Sequence, residues 1–244
     1  MSLTRNDYAV LNEFKFDIQP VGVKYMTRCP TGTKKLDETM ALCEMLKKAQ
    51  GGGVFYADVK NHTCEAGPYI LGQREIEEQF ISGEFGAGLG AFKDARAASR
   101  VYHYIPKIAA GVANYVVLSP LDKLSFEPDV MIFLATVSQA WILLRAMSYE
   151  TGEMWSSRYS AAIGCSWLFV YPYLTGEINF VSAGLGFGMK RRKLFPEDRQ
   201  FISIPFDRLP SMLQTLREMP WIPEPFKSNG LEYVKELRKK LELE

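Results

Sequence analysis

Apolar positions along the chain follow two rhythms. Pro20 to Tyr25 and Pro128 to Phe133 are short runs after a proline, rich in Val, Ile, Tyr and Phe, and they predict strands. Helical spacing follows each. Leu36, Met40, Leu42, Cys43, Met45 and Leu46 give one apolar face to a helix predicted over 35–50, which Gly51 to Gly53 terminate. Val137, Ala140, Trp141, Leu144 and Met147 do the same in the second half, and Gly152 stops that helix. The longest apolar stretch, Met131 to Leu144, holds Thr136, Ser138 and Gln139 and is shorter than the roughly 20 residues of a membrane helix. It predicts a buried strand running into a buried helix.

The two rhythms recur in order, which predicts an internal duplication. Gly51 precedes Cys64 by 13 positions and Gly152 precedes Cys165 by 13. Ala87-Gly88-Leu89-Gly90 returns as Ala183-Gly184-Leu185-Gly186, and Pro120 to Leu124 returns as Pro205 to Leu209. Each copy reads strand, helix, strand, cysteine-bearing turn and helix, strand, glycine loop, strand. The first copy adds an Ala-rich helix between Phe92 and Gly111, where the second has a short basic turn over 189–199. The fold class is therefore α/β, with a mixed α+β arrangement as its variant, and two pseudo-repeats over 8–124 and 128–219 share or pair a sheet. A link of only Ser125 to Pro128 favours one fused domain over 1–244. A tail helix within 226–244 puts Leu231, Val234, Leu237 and Leu241 on one stripe, which docks on this chain or on a partner such as a second copy.

Charge narrows the function classes. Lys plus Arg number 29 and Asp plus Glu 28, so no overall field draws nucleic acid or a membrane surface. Four separated cysteines without a C-x-x-C pair, in a chain this long, fit a reducing cytoplasm. The start, Met1 to Asp7, lacks the apolar core of a secretory leader.

Cys64 lies in a polar segment between a strand and an apolar stretch, where a helix N-terminus would lower its pKa. His62, two residues away, is a candidate base or metal ligand. Cys165 occupies the matching turn without a matching histidine, and a pseudo-dyad would bring the two thiols together. A metal or iron–sulfur centre drawing on Cys43, Cys64, Cys165 and His62 is one reading, and buried core cysteines are the other. The glycine segments offer a second site. Gly86, Gly88 and Gly90 lead toward Lys93 and Arg96, and Gly184, Gly186 and Gly188 lead to Arg191 and Arg192, a pattern suited to a phosphate-bearing small molecule. Neither matches a dinucleotide or P-loop fingerprint. No G-x-S-x-G elbow or zinc-protease helix is present, and His103 reads as structural.

Pro20-Val21-Gly22-Val23, Cys43 ahead of Ala49 and Gly51, Cys64 near Gly67 and Gly72, Pro120-Leu121, Pro128-Asp129, Gly164-Cys165, Gly184 to Gly188 and Ile204-Pro205 together resemble DUF169. This family is an uncharacterised group of archaea and anaerobic bacteria, and the resemblance covers the chain to about Met219. It implies no settled activity, but cysteines at the positions of Cys43, Cys64 and Cys165 keep a redox or metal role open. The chain departs from relatives at Gly184 to Gly188, where they carry a further cysteine and a polar residue, which weakens a four-thiolate cluster. The functional expectation is a cysteine-based redox or metal- or cofactor-binding protein using Cys64 and Cys165. The alternative is a non-catalytic module that binds an anionic small molecule or cofactor at the glycine loops.

Overall fold

A computed structural model describes residues 7–227 and 229–243, so the reading of residues 1–6 as no leader lies outside the described residues. Strands β1 (Val21–Met26), β2 (Phe55–Ala57), β3 (Tyr115–Pro120), β4 (Val130–Ala135), β5 (Asn179–Ser182) and β6 (Gln200–Pro205) form one antiparallel sheet in the order β2-β3-β1-β4-β6-β5. Three strands come from each half. The halves meet where β1 pairs with β4, with Val21 opposite Ile132, Gly22 opposite Met131 and Val23 opposite Val130.

β4 is buried on both faces, as its unbroken apolar run requires. Alternation sends Val130, Ile132 and Leu134 into one core layer and Met131, Phe133 and Ala135 into the other. Gly22 faces Leu124 and Pro128, and a Cβ there would meet Leu124 Cδ1 at 2.6 Å. The fold is thus a mixed α/β structure with helices on both faces of a central sheet. On one face lie α1 (Leu42–Gln50), α2 (Ala66–Ile70) and a helical segment after Gly164, comprising a π-helical turn Ser166–Val170 and α7 (Tyr171–Thr175). The other face carries α6 (Val137–Ser148) and α9 (Leu209–Glu218), packed with Phe14 and Leu11 of the short helix Asp7–Phe14.

Local bonding moved one predicted boundary. Leu36 and Met40 fit helical spacing, yet their N–H groups donate to Tyr56 O (2.8 Å) and Asn61 O (2.8 Å). Lys35 therefore bridges β2 at Tyr56 and Met40 bridges His62, and α1 starts only at Leu42, where the Glu44 carboxylate accepts from Ala41 N at 2.6 Å. Two predicted strands are also replaced. After Cys64 the chain forms α3 (Glu78–Ile81) and α4 (Glu84–Gly88), which takes in the start of the first glycine segment, and residues 152–160 before Cys165 have no regular structure.

The Ala-rich insertion is α5 (Ala95–Tyr104), capped by Asp94, whose carboxylate accepts from Ala97 N at 2.9 Å. The basic turn begins as α8 (Phe187–Arg191). The tail helix is α10 (Gly230–Lys240), with Leu231 83% exposed and Leu241 55% exposed, so its apolar stripe is uncovered by the described residues. Among the described residues no helix is long and apolar enough to cross a membrane.

Candidate functional site

Three cysteines from three elements share one layer of the core. Cys43 stands in the first turn of α1, Cys64 in the turn before α2, and Cys165 just before the π-helical turn; Cys43 is buried and the other two are half-buried against the same cluster. Cys43 and Cys64 are near enough that their thiolates would raise the pKa of Cys165, and Cys64 that of Cys43. Cys165 is pushed well above the usual thiol value by burial first, then by Cys43 and Cys64. The N–H groups of Cys165 and Ser166 pull it down, as a helix N-terminus does, but burial outweighs them. Burial likewise pushes Cys43 up to about 11, against the lowering charge of Arg192. At neutral pH both thiols are protonated.

The site's walls explain two of the glycines. The Tyr159 hydroxyl sits between Gly164 and Gly186; a Cβ would meet it at 2.1 Å from Gly164 and at 2.6 Å from Gly186. Burial, Cys165 and Cys43 together raise the pKa of Tyr159. Phe187 N donates to Ala161 O at 2.9 Å, which ties the second glycine segment to the strip leading into Cys165. Arg192 completes this wall, with Nε 3.6 Å from Glu44 Oε1 on α1 and Nη1 donating to Gly188 O at 3.2 Å. On the Cys64 side Tyr102 of α5 packs in the same core cluster, its pKa raised by burial and then by Cys64.

Cys165 is held by a set of bonds that sequence spacing did not reveal. Asn179 is fully buried in β5 and makes four bonds. Its oxygen accepts from Arg158 N (3.0 Å) and Ser157 Oγ (3.0 Å), and its nitrogen donates to Arg158 O (2.9 Å) and Trp167 O (2.8 Å). Tyr25 OH donates to Phe169 O at 2.5 Å, Trp167 Nε1 donates to Ser160 Oγ at 2.9 Å, and Ser166 Oγ donates to Pro106 O. Carbonyls in a π-helical turn find less regular partners than in an α-helix, and Asn179 and Tyr25 supply them for Trp167 and Phe169. Strain accompanies the arrangement: Ile163, a β-branched residue, has φ +53°, and Lys193, next to Arg192, has φ +51°.

His62 lies beside this site without joining a ligand set. Its two ring nitrogens and the Gln73 Oε1 atom are buried with no well-formed hydrogen bond among the described residues, although the Gln73 side chain lies close enough to favour the charged ring, and a Cβ on Gly67 would meet His62 Nδ1 at 2.5 Å. Burial, then the Arg74 charge, lowers its pKa to about 4, so the ring is neutral. Among the described residues no three His, Cys, Asp or Glu side chains are placed to hold one metal ion.

The two glycine segments differ. In the first, Gly86 and Gly88 belong to α4, and the N–H groups of Ala87, Leu89, Gly90 and Ala91 donate to Gly83, Phe85, Ala87 and Gly86. Those donors are spent within the turn. In the second, Gly184 meets Glu197, Gly186 meets Tyr159, Arg192 is paired and Arg191 is exposed. The segments are bridged by Phe92 and Phe187, whose ring centroids are 6.5 Å apart.

Comparison with known proteins gives a family. DUF169, described as Uncharacterised ArCR, matches residues 11–215. Uncharacterized protein MJ0308 of Methanocaldococcus jannaschii is 33% identical over 133 residues, which cover 54% of this chain and 57% of that protein. The match thus spans little more than half the length of this relative. No solved structure matches the chain. With the cysteine-bearing helices, the sheet and both glycine segments all inside the matched span, the chain belongs to the DUF169 family.

Proposed function

We propose that this chain is a cysteine-based redox protein whose site is the pocket of Cys43, Cys64 and Cys165. The observation that carries the reading is the convergence of three thiols from separate elements beside backbone strain and a π-helical turn, features that concentrate at functional sites. The reaction is a dithiol–disulfide exchange with a small-molecule disulfide. One protein thiol gives up its proton and attacks a sulfur of the disulfide, releasing one small thiol; a second protein thiol then displaces the other. A protein S–S bond forms, the small S–S bond is lost, and two protons and two electrons pass to the small molecule. Protonated, buried thiols make this exchange slow at pH 7 and faster as pH rises.

A metal-binding reading keeps the same residues and draws support from soft sulfur donors, but the present spacing favours exchange over a preformed metal site. The test is mass spectrometry of anaerobically purified protein after incubation with oxidised glutathione, with metal analysis of the same sample. The expected result is a loss of about 2 Da in the wild type and a trapped glutathione adduct in Cys165→Ser. Unmodified protein, or identical behaviour of wild type, Cys64→Ser and Cys165→Ser, sinks the proposal; stoichiometric bound metal transfers it to the metal reading.

We also propose that the two halves are copies of one ancestral unit. Support comes from the strand order, which reads the same from either edge when β1, β2 and β3 are exchanged for β4, β5 and β6. Leu121 N bonds Pro20 O after β3 as Phe206 N bonds Asp129 O after β6.

A further inference from the structure

We propose that the outward face of α5 and the turn at Ser82 form a binding site for a small phosphorylated molecule, separate from the thiol pocket. The helix presents Arg96, Arg100 and His103 at intervals of four and three residues, a single stripe about 10 Å long. With Ser82, Ser99 and Tyr104 they line one open groove. All three cationic-type side chains are exposed, and among the described residues none forms an ion pair.

The groove is built by a close approach. Gly83 has φ +86°, and a Cβ there would lie 2.0 Å from Ala95 O and 2.5 Å from Ser99 N. Only glycine lets the turn sit on α5, and that contact sets Ser82 beside Ser99. Ser82 Oγ accepts from Glu84 N at 3.4 Å, which leaves its hydroxyl hydrogen free to donate. Arg100 lies over the Tyr104 ring at 5.7 Å, so its guanidinium is already oriented. Two guanidinium forks, an imidazole and two hydroxyls, spread over about two turns of helix and the adjoining Ser82 turn, are donors suited to phosphate oxygens.

The size of the patch selects the ligand. Exposed Glu84 stands two residues from Ser82 and exposed Asp94 two residues from Arg96, so acidic groups adjoin the patch along the chain, and they would repel an extended polyanion while leaving room for one or two phosphates. Its separateness from the thiols is also clear in the helix: Tyr102 points inward to the cysteine pocket, whereas the cations point outward.

Calorimetric titration of the full chain with inorganic pyrophosphate tests the site. Saturable one-to-one binding is expected, weakened about tenfold or more in Arg96→Ala with Arg100→Ala and in the longer-stemmed Arg96→Gln with Arg100→Gln. The equally basic control Lys239→Ala with Lys240→Ala is expected to bind as wild type. Thermal melting of each variant checks its fold, and exposed side chains should leave it unchanged. Absence of pyrophosphate binding, or equal weakening in the α10 control, overturns the proposal. So does tighter binding of a single-stranded RNA oligonucleotide through Arg96 and Arg100, which makes the surface a nucleic-acid site.

Discussion

The strips that lead into α1 and into the π-helical turn are built alike and stressed differently. In the first half, buried Asn61 accepts from Asp58 N (3.1 Å) and donates to Leu36 O (2.9 Å) and Glu38 O (2.8 Å), pinning the strip to the edge of the sheet before Cys43. In the second half, Asn179 pins residues 157–158 before Cys165. Each helix that follows ends at a glycine, Gly51 or Gly176, and hands over to an edge strand. Within the proposed duplication, Cys165 matches Cys64 by spacing from Gly152 and Gly51, and matches Cys43 by its place ahead of the helix that leads to an edge strand. The difference is in the backbone. Cys43 opens a regular helix with a Glu44 cap, whereas Cys165 has Ile163 at positive φ before it and a π-helical turn after it. Strain sits on one side of the thiol pocket only.

The largest effect should come from breaking the clamps. Asn179→Ala removes four bonds and strands buried partners, including Trp167 O, so a loss of about 3 kcal/mol is expected in urea unfolding. Asn61→Ala removes three and should cost about 2 kcal/mol; a larger loss at Asn61 would break the ranking of the two halves. Acid separates the halves next, since only the first carries a buried histidine. The folded pKa of His62, about 4, lies below the unfolded value of about 6.5, so the unfolded chain binds the proton more readily. The stability is fully present above pH 6.5 and is lost as pH falls toward 4, by about 3 kcal/mol at the limit. Urea unfolding across that window should show the slope in wild type and a flatter profile in His62→Gln.

Thiol titration sharpens the comparison further. Alkylation of Cys43, followed by peptide mass spectrometry, should rise about tenfold per pH unit from pH 7 to 10 as the thiol approaches its pKa of about 11. Cys165 should lag behind it, because no arginine offsets its burial. The smallest effect is at Lys193, whose exposed side chain leaves the backbone term nearly alone: Lys193→Gly should stabilise the protein by about 0.5–1 kcal/mol in thermal melting. An unchanged or lowered midpoint would mean that the positive φ there is not strained.

Long apolar runs made much of this fold legible. β4 and α6 follow from Met131 to Leu144, and the proline-bounded motifs at Pro120 and Pro205 each end a strand in a short 3-10 turn. Residues 35–41 misled because Leu36 and Met40 satisfy helical spacing, while their backbone partners, Tyr56 and Asn61, lie too far along the chain for a periodicity to register. Tyr159 and Tyr102 were missed for the same reason: only tertiary folding brings them to the thiols. Asn179 did leave a signal. A lone amide inside Ile178 to Val181, an otherwise apolar run, has to find partners if the run is buried.

The sheet order also governs how the chain is made. β2 touches β3 but never β1, so the first half's sheet waits for β3 to join its two earlier strands. The 57 residues from Asp58 to Asn114 separate β2 from β3, which at about 5–20 residues per second means roughly 3–11 s of synthesis with β1 unpaired. Val21, Val23 and Tyr25 are exposed to the ribosome's surroundings for that interval. Slowing translation between β2 and β3 should therefore lower the soluble yield more than slowing it between β3 and β4.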